Sequence, residues 1–338
     1  MFFKVATTDV KYDTAESVRS LVANLAELSQ RLTALDLSNN TYHPDAFASI
    51  AEQIKKMRNL KTASFESTMS CLDFEEMSSL CSMITNSLPN GLIALNLSSN
   101  ALSCNFPNAL TDFISRSNLV ELNLYNCGLG REGIERVLRA LEGLSDKTRL
   151  EKLNIGKNRM NSATNELGEI IGQFENLTLF KMAHNTVYEG LDSFLNGLVS
   201  LSLIELDISD NFVEEETALL EILGHGSLRL IHLRDIKTDH MDVILQKMVD
   251  TGSKIEHLDV SQNDLETEES MNQLVELAKH NQIRELHIYD NYFETDFRET
   301  YRKIKNLILR KGGRFIETDP AIMADEEEQR LAVLISRI

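Results

Sequence analysis

Nine-residue stretches with apolar residues at their first, fourth and sixth positions recur along this chain. The clearest are LTALDLSNN (32–40), LIALNLSSN (92–100), LVELNLYNC (119–127), LEKLNIGKN (150–158) and LIELDISDN (203–211). LTLFKMAHN (177–185), IEHLDVSQN (255–263) and IRELHIYDN (283–291) share the frame, and LKTASFEST (60–68) and LRLIHLRDI (228–236) are weaker copies. The short apolar/polar alternation inside each copy predicts a strand with one buried face. Between copies, apolar residues fall three or four apart, as at Ala46, Ile50 and Ile54 or at Ile134, Val137, Leu138 and Leu141. That spacing predicts one amphipathic helix per unit.

Ten such units, starting 25 to 32 residues apart, fit L-x-x-L-x-L-x-x-N/C, the frame of a leucine-rich repeat. The fold class expected is α/β: a leucine-rich repeat solenoid, or horseshoe, with a parallel sheet on the concave face and helices on the convex one. The unit length resembles that of the ribonuclease-inhibitor type. Because an end repeat must hide one apolar side, FKVATTDV near the N-terminus reads as a capping strand followed by a helix. No interior linker is evident. The expected domains are a capped repeat domain over 1–318 and, over 319–338, an acidic tail (Asp325 to Glu328) ending in the apolar segment RLAVLISRI.

Composition narrows the partners. Acidic residues outnumber Lys and Arg by 52 to 34, for a formal charge of -18, which repels phosphate backbones and anionic lipid. Neither nucleic acid nor membrane is an expected partner. No apolar run reaches the roughly 18 residues of a membrane span, and the N-terminus does not read as a secretory signal. Cys71, Cys81, Cys104 and Cys127 form no C-x-x-C pair and read as reduced, buried thiols, which places the chain in the cytosol. No metal and no cofactor are expected.

The last frame position points inward and bonds to the following turn. Asn40, Asn100, Asn158, Asn185, Asn211, Asn263 and Asn291 fill it, and Cys127 takes it in its own repeat. One residue earlier lies a polar rim: Asn39, Ser67, Ser99, Asn126, Lys157, His184, Asp210, Asp235, Gln262 and Asp290. A solvated loop edge accounts for such a row. Asn126 differs in preceding CGLG, whose two glycines permit a tight turn that a partner could approach closely.

LNLYNCGLG (122–130), then LNIGKNRMNS (153–162 region, Leu153 to Ser162) and KMAHN (181–185), resemble in content and order the motifs of the Ran GTPase-activating protein family. That family carries L-x-N-N-G-L-G, then G-R-N-R-L-x-N-x-S, then K-M-x-x-N. The resemblance implies a GTPase activator rather than an enzyme. Its partner would be a Ran-like small GTPase in its GTP form, docked on the N-terminal half, with hydrolysis taking place on the partner. Asn126 would be the catalytic residue, orienting the partner's glutamine without an arginine finger. Asn39, Ser67, Ser99, Tyr125, Lys157, Asn158 and Arg159 would bind the partner, the last three also serving to brace the loop. A monomer in the cytoplasm or at the nuclear periphery, acting in nucleocytoplasmic transport, would follow. Cys127 stands where the family has its second Asn, and Leu72 where it has an Arg after the second strand. The alternative is a non-catalytic interaction scaffold of the same architecture.

No phosphate-binding glycine motif is present. KGGR (311–314) lacks the strand-then-helix context that phosphate binding needs. His232, His257 and His287 read as concave-surface histidines on successive strands, the first and last roughly 10 Å apart and too far for one metal. Asp36, Glu121, Glu205, Asp207 and Asp259 resemble a paired-carboxylate site only superficially.

Overall fold

The computed structural model describes residues 1–6, 10–265, 267–291 and 297–319. The acidic run Asp325 to Glu328 and RLAVLISRI lie outside the described residues. The chain divides into two compact units, Met1–Leu201 and Ser202–Ile338.

In the first unit the elements run β1 (Phe2–Lys4), β2 (Lys11–Tyr12), α1 (Arg19–Leu28), β3 (Ala34–Asp36), β4 (Thr41–Tyr42), α2 (Pro44–Ile54), β5 (Thr62–Ser64), α3 (Phe74–Ser87), β6 (Ala94–Asn96), α4 (Asn108–Arg116), β7 (Glu121–Asn123), α5 (Gly130–Glu142), β8 (Lys152–Asn154), α6 (Asn165–Gly172), β9 (Leu179–Lys181) and α7 (Leu191–Asn196). The sheet is parallel in the order β1-β3-β5-β6-β7-β8-β9, and β2 pairs with β4 apart from it. The second unit holds β10 (Glu205–Asp207), α8 (Thr217–Gly224), β11 (Leu230–His232), α9 (Met241–Asp250), β12 (His257–Asp259), α10 (Glu268–His280), β13 (Glu285–His287), α11 (Arg298–Arg310) and β14 (Arg314–Ile316), with β10 to β14 parallel in chain order.

All ten copies form strands, each at the third to fifth frame positions. The physical reason is the apolar frame: the first, fourth and sixth residues are buried in every copy, as with Leu119, Leu122 and Leu124 or Leu203, Leu206 and Ile208. The expected helix faces are also buried, including Ile50, Ile54, Ile134 and Val137. Local signals set the helix starts. Asp73 and Glu76 form a reciprocal capping box at α3, and Thr164 and Thr267 cap α6 and α10. The capping strand near the N-terminus is β1, followed by α1.

Two features differ from the sequence reading. The last repeat adds β14, because KGGR is the turn that carries α11 back to the sheet. The Lys311 ammonium in that turn donates to the carbonyls of Ala278, Lys279 and Asn281 at 2.8, 2.7 and 2.9 Å, closing the C-terminal end of α10. Of the four thiols, Cys81 and Cys127 are buried but Cys71 and Cys104 are exposed, since both lie in the loops that leave the rim. Among the described residues no helix is long and apolar enough to cross a membrane.

Candidate functional site

All ten rim residues have left-handed backbones, with φ between 51° and 60°. A left-handed conformation costs most L-residues roughly 1–2 kcal/mol, and Asn and Asp least. The neighbouring repeat holds it in place. In the first unit the N–H of five rim residues reaches a carbonyl one repeat on: Asn39 to Glu66 at 2.9 Å, Ser67 to Ser98 at 3.1 Å, Ser99 to Tyr125 at 2.8 Å, Asn126 to Gly156 at 2.9 Å and Lys157 to Ala183 at 2.7 Å. Asn39, Ser67, Ser99, Asn126 and Lys157 therefore stand as one row on an edge of the first unit, spaced by the strand separation of roughly 4.8 Å.

The loop after β7 is built around Asn158. Its Oδ1 accepts from the N–H groups of Cys127 at 2.9 Å and Leu129 at 3.3 Å. Its Nδ2 donates to the carbonyls of Leu124, Ile155 and Gly156 at 2.9, 2.9 and 3.0 Å. Asn158 is 0% exposed, so of its two expected roles it has the bracing one and offers nothing to a partner. Gly128 and Gly130 have φ of 64° and 60°, and a Cβ on Gly128 would meet nothing within 4 Å. The turn needs their conformational freedom, and it leaves the surface beside Asn126 open.

Asn126 itself is partly exposed, and its side-chain amide makes no hydrogen bond among the described residues. Lys157 and Arg159 beside it are exposed and carry no ion pair among the described residues, and Arg159 is also left-handed, at φ 57°. Tyr125 is half-buried and its N–H donates to Asn123 Oδ1 at 3.0 Å. Cys127 fills the ladder slot as expected: its Sγ donates to the Leu97 carbonyl at 3.2 Å, and burial pushes its pKa up to about 12. Leu72 lies half-buried just before the Asp73 cap, one residue after left-handed Cys71.

A second ladder escaped the sequence reading. The fifth frame position is Asp or Asn in six of the ten copies, and each side-chain Oδ1 accepts the N–H two residues on. The pairs are Asp36 with Ser38, Asn96 with Ser98, Asn123 with Tyr125, Asn154 with Gly156, Asp207 with Ser209 and Asp259 with Ser261, at 3.0 to 3.2 Å. These are Asx-turns that start the bend out of each strand. The concave acids Asp36, Asp207 and Asp259 thus have a structural task, while Glu121 pairs with Lys152 at 3.4 Å and Glu205 with His232 at 3.8 Å.

In the second unit His232 and His287 flank Asp259 in one register row, whereas His257 lies in the other row, opposite Glu285. His287 Nε2 is 2.6 Å from Glu285 Oε1. Among the described residues no group of three His, Cys, Asp or Glu side chains has metal-holding geometry. Arg234 binds Gln262 Oε1 at 2.8 Å, covers the Tyr289 ring at 5.6 Å and reaches Asp319 at 3.5 Å, so it ties together the ends of four neighbouring strands.

No family model matches the chain, and no curated protein sequence does. Among solved structures, the leucine-rich repeat-containing protein LegL7 from Legionella pneumophila is 15% identical, with a TM-score of 0.48 over 89% of this chain and 97% of that one. TLR13, in a complex with ssRNA13, is also 15% identical, with a TM-score of 0.51 over 93% of this chain and 41% of that chain. This chain therefore spans less than half the length of TLR13. Likeness to TLR13 at that identity bears on fold alone, and it agrees with the ten framed strands, the buried asparagine ladder and the intervening helices: the chain is an α/β leucine-rich repeat protein.

Proposed function

We propose that this protein activates GTP hydrolysis by a Ran-like small GTPase, which docks in its GTP form on the rim of the first unit. The observation that carries the reading is Asn126: the surrounding loop groups are tied down by Asn158, while its own amide is uncommitted. Such an amide can orient a glutamine supplied by the partner, which in turn places the attacking water. Lys157 and Arg159 add positive charge beside it, in a chain whose net charge is -18, and suit an acidic partner surface. Hydrolysis stays on the partner, so the chain needs neither nucleotide nor metal of its own, and a monomer in the cytoplasm suffices.

Single-turnover GTP hydrolysis with a Ran-type GTPase tests this. Activation in related systems reaches about 10⁵-fold. Asn126→Gly keeps the left-handed backbone and removes only the amide. It should abolish most of the stimulation while the GTP-loaded partner still binds, because an orienting contact acts mainly in the transition state. Leu72→Arg should raise stimulation by about 5- to 150-fold, the equivalent of one charge-assisted contact of about 1–3 kcal/mol.

A scaffold without catalytic action is the second reading. It is favoured by the left-handed φ at all ten rim positions, which gives an Asn at position 126 a backbone reason to be there. No stimulation by the wild-type chain or by Leu72→Arg, with partner binding retained, would decide for it.

A further inference from the structure

Against a net charge of -18, α11 stands out as a cationic helix. Between Arg298 and Arg310 it carries Arg298, Arg302, Lys303, Lys305 and Arg310 against the single acid Glu299. Its apolar stripe, Ile304 and Ile308, is buried against the sheet. Lys305 is taken by Glu317, which also accepts from the Tyr301 hydroxyl at 2.9 Å. Arg298, Arg302, Lys303 and Arg310 are exposed and have no ion pair among the described residues. At positions i and i+4, Arg298 and Arg302 share one face. With Tyr301, Lys305 and Glu317 they line a hollow of about 300 Å³. Leu309, on the Arg298 and Arg302 face, is 49% exposed. Arg298 and Arg302, with no ion pair among the described residues and beside the exposed leucine, form a surface suited to an anionic segment with some apolar character, and Lys303 and Arg310 extend the positive charge round the helix.

We infer that α11 is the docking surface for this chain's own acidic run, Asp325-Glu326-Glu327-Glu328. Charge complementarity is one argument: the run carries four carboxylates, and Arg298 and Arg302 have no ion pair among the described residues. Reach is the other. Glu317 already lies on α11, and the six residues from Asp319 to Asp325 can span up to about 20 Å, some four helical turns. Tethering so close gives the intramolecular partner an effective concentration in the millimolar range, well above that of a competing acidic peptide. The contact masks a strongly basic helix, so that anionic surfaces bind there only when the acidic run is displaced or neutralised.

Zero-length carbodiimide cross-linking of the full chain, read by mass spectrometry on the monomer, tests the contact. Lys303 or Lys305 should link to Asp325–Glu328. The link should fade as ionic strength rises from about 0.1 M to about 1 M and the screening length falls from about 10 to about 3 Å. Arg298→Glu with Arg302→Glu should remove most of the link, and if that pair unfolds the chain, Arg298→Gln with Arg302→Gln replaces it. The complementary change, Asp325→Asn with Glu326→Gln, Glu327→Gln and Glu328→Gln, leaves the repeats untouched. It should let the chain bind vesicles of phosphatidylcholine containing phosphatidylserine, which the wild type does not. The inference is overturned if no link forms at low salt, if the links appear only between chains, if the Arg298 and Arg302 changes leave them in place, or if wild-type and neutralised chains bind vesicles equally.

Discussion

Replacing Asn158 by alanine separates the buried ladder from the rim beside it. The substitution strips the N–H groups of Cys127 and Leu129 of their acceptor and the Leu124 carbonyl of its Nδ2 donor. Two other carbonyls are spared: Ile155 still accepts from Asn185 Nδ2 at 3.0 Å, and Gly156 from the Asn126 N–H at 2.9 Å. Three groups thus lose a partner in a site that is 0% exposed. At about 1–3 kcal/mol for each unsatisfied buried group, with the long Leu129 contact at the low end and some water entering the space left behind, the loss is about 3–5 kcal/mol. Asn126→Ala, one repeat away, breaks no side-chain hydrogen bond and raises only the cost of the left-handed backbone, about 1 kcal/mol or less. Urea unfolding followed by circular dichroism, with the slope m held common to the variants, measures both. The ladder argument is refuted if Asn158→Ala lies within about 1 kcal/mol of wild type, or if the two variants lose the same stability.

Other consequences are as direct. Cys127→Asn should leave stability within about 1 kcal/mol of wild type, because an amide in that slot can donate to the Leu97 carbonyl as the thiol now does, and a larger loss in the same unfolding assay counts against the frame. A disulfide-exchange reagent should titrate Cys71 and Cys104 in the native protein, while Cys81 and Cys127, buried and with pKa values pushed up to about 12, react only after denaturation. Asp36 supplies a pH dependence. Burial raises its pKa, but the hydrogen bonds from Ser38 and the charge of Lys4 outweigh that and hold it below the ordinary value of 3.8. A carboxyl with a lower pKa folded than unfolded stabilises the protein above the unfolded value, and this contribution fades as pH falls through the folded one. Asp36→Asn, which resembles the protonated acid, should therefore flatten the stability profile below pH about 4 by lowering stability in the neutral region while leaving the acid end little changed.

How far the site was legible in the sequence depends on where each residue's partners come from. The strands, the buried frame positions and the asparagine slot follow from spacing within single repeats, and each repeat meets only its neighbours, so a local period was enough to place Leu122, Leu124 and Cys127. The placing of Asn126 one step before the buried slot follows from the same count. What the amino-acid order could not supply is anything made by a group one repeat away. The left-handed rim depends on the Asn126 N–H reaching Gly156 and its counterparts doing likewise, and the commitment of Asn158 depends on Cys127 and Leu129 across the loop. The Asx ladder left a trace, Asp or Asn at the fifth position in six of the ten copies. Its meaning stayed hidden because a carboxylate on a concave strand reads equally well as surface charge. β14 and the Lys311 cap carry no repeat signature, and only packing against α10 and β13 reveals them. Spacing along the chain determines which side chains face inward, whereas the hydrogen bonds between successive repeats decide which polar groups remain free to act.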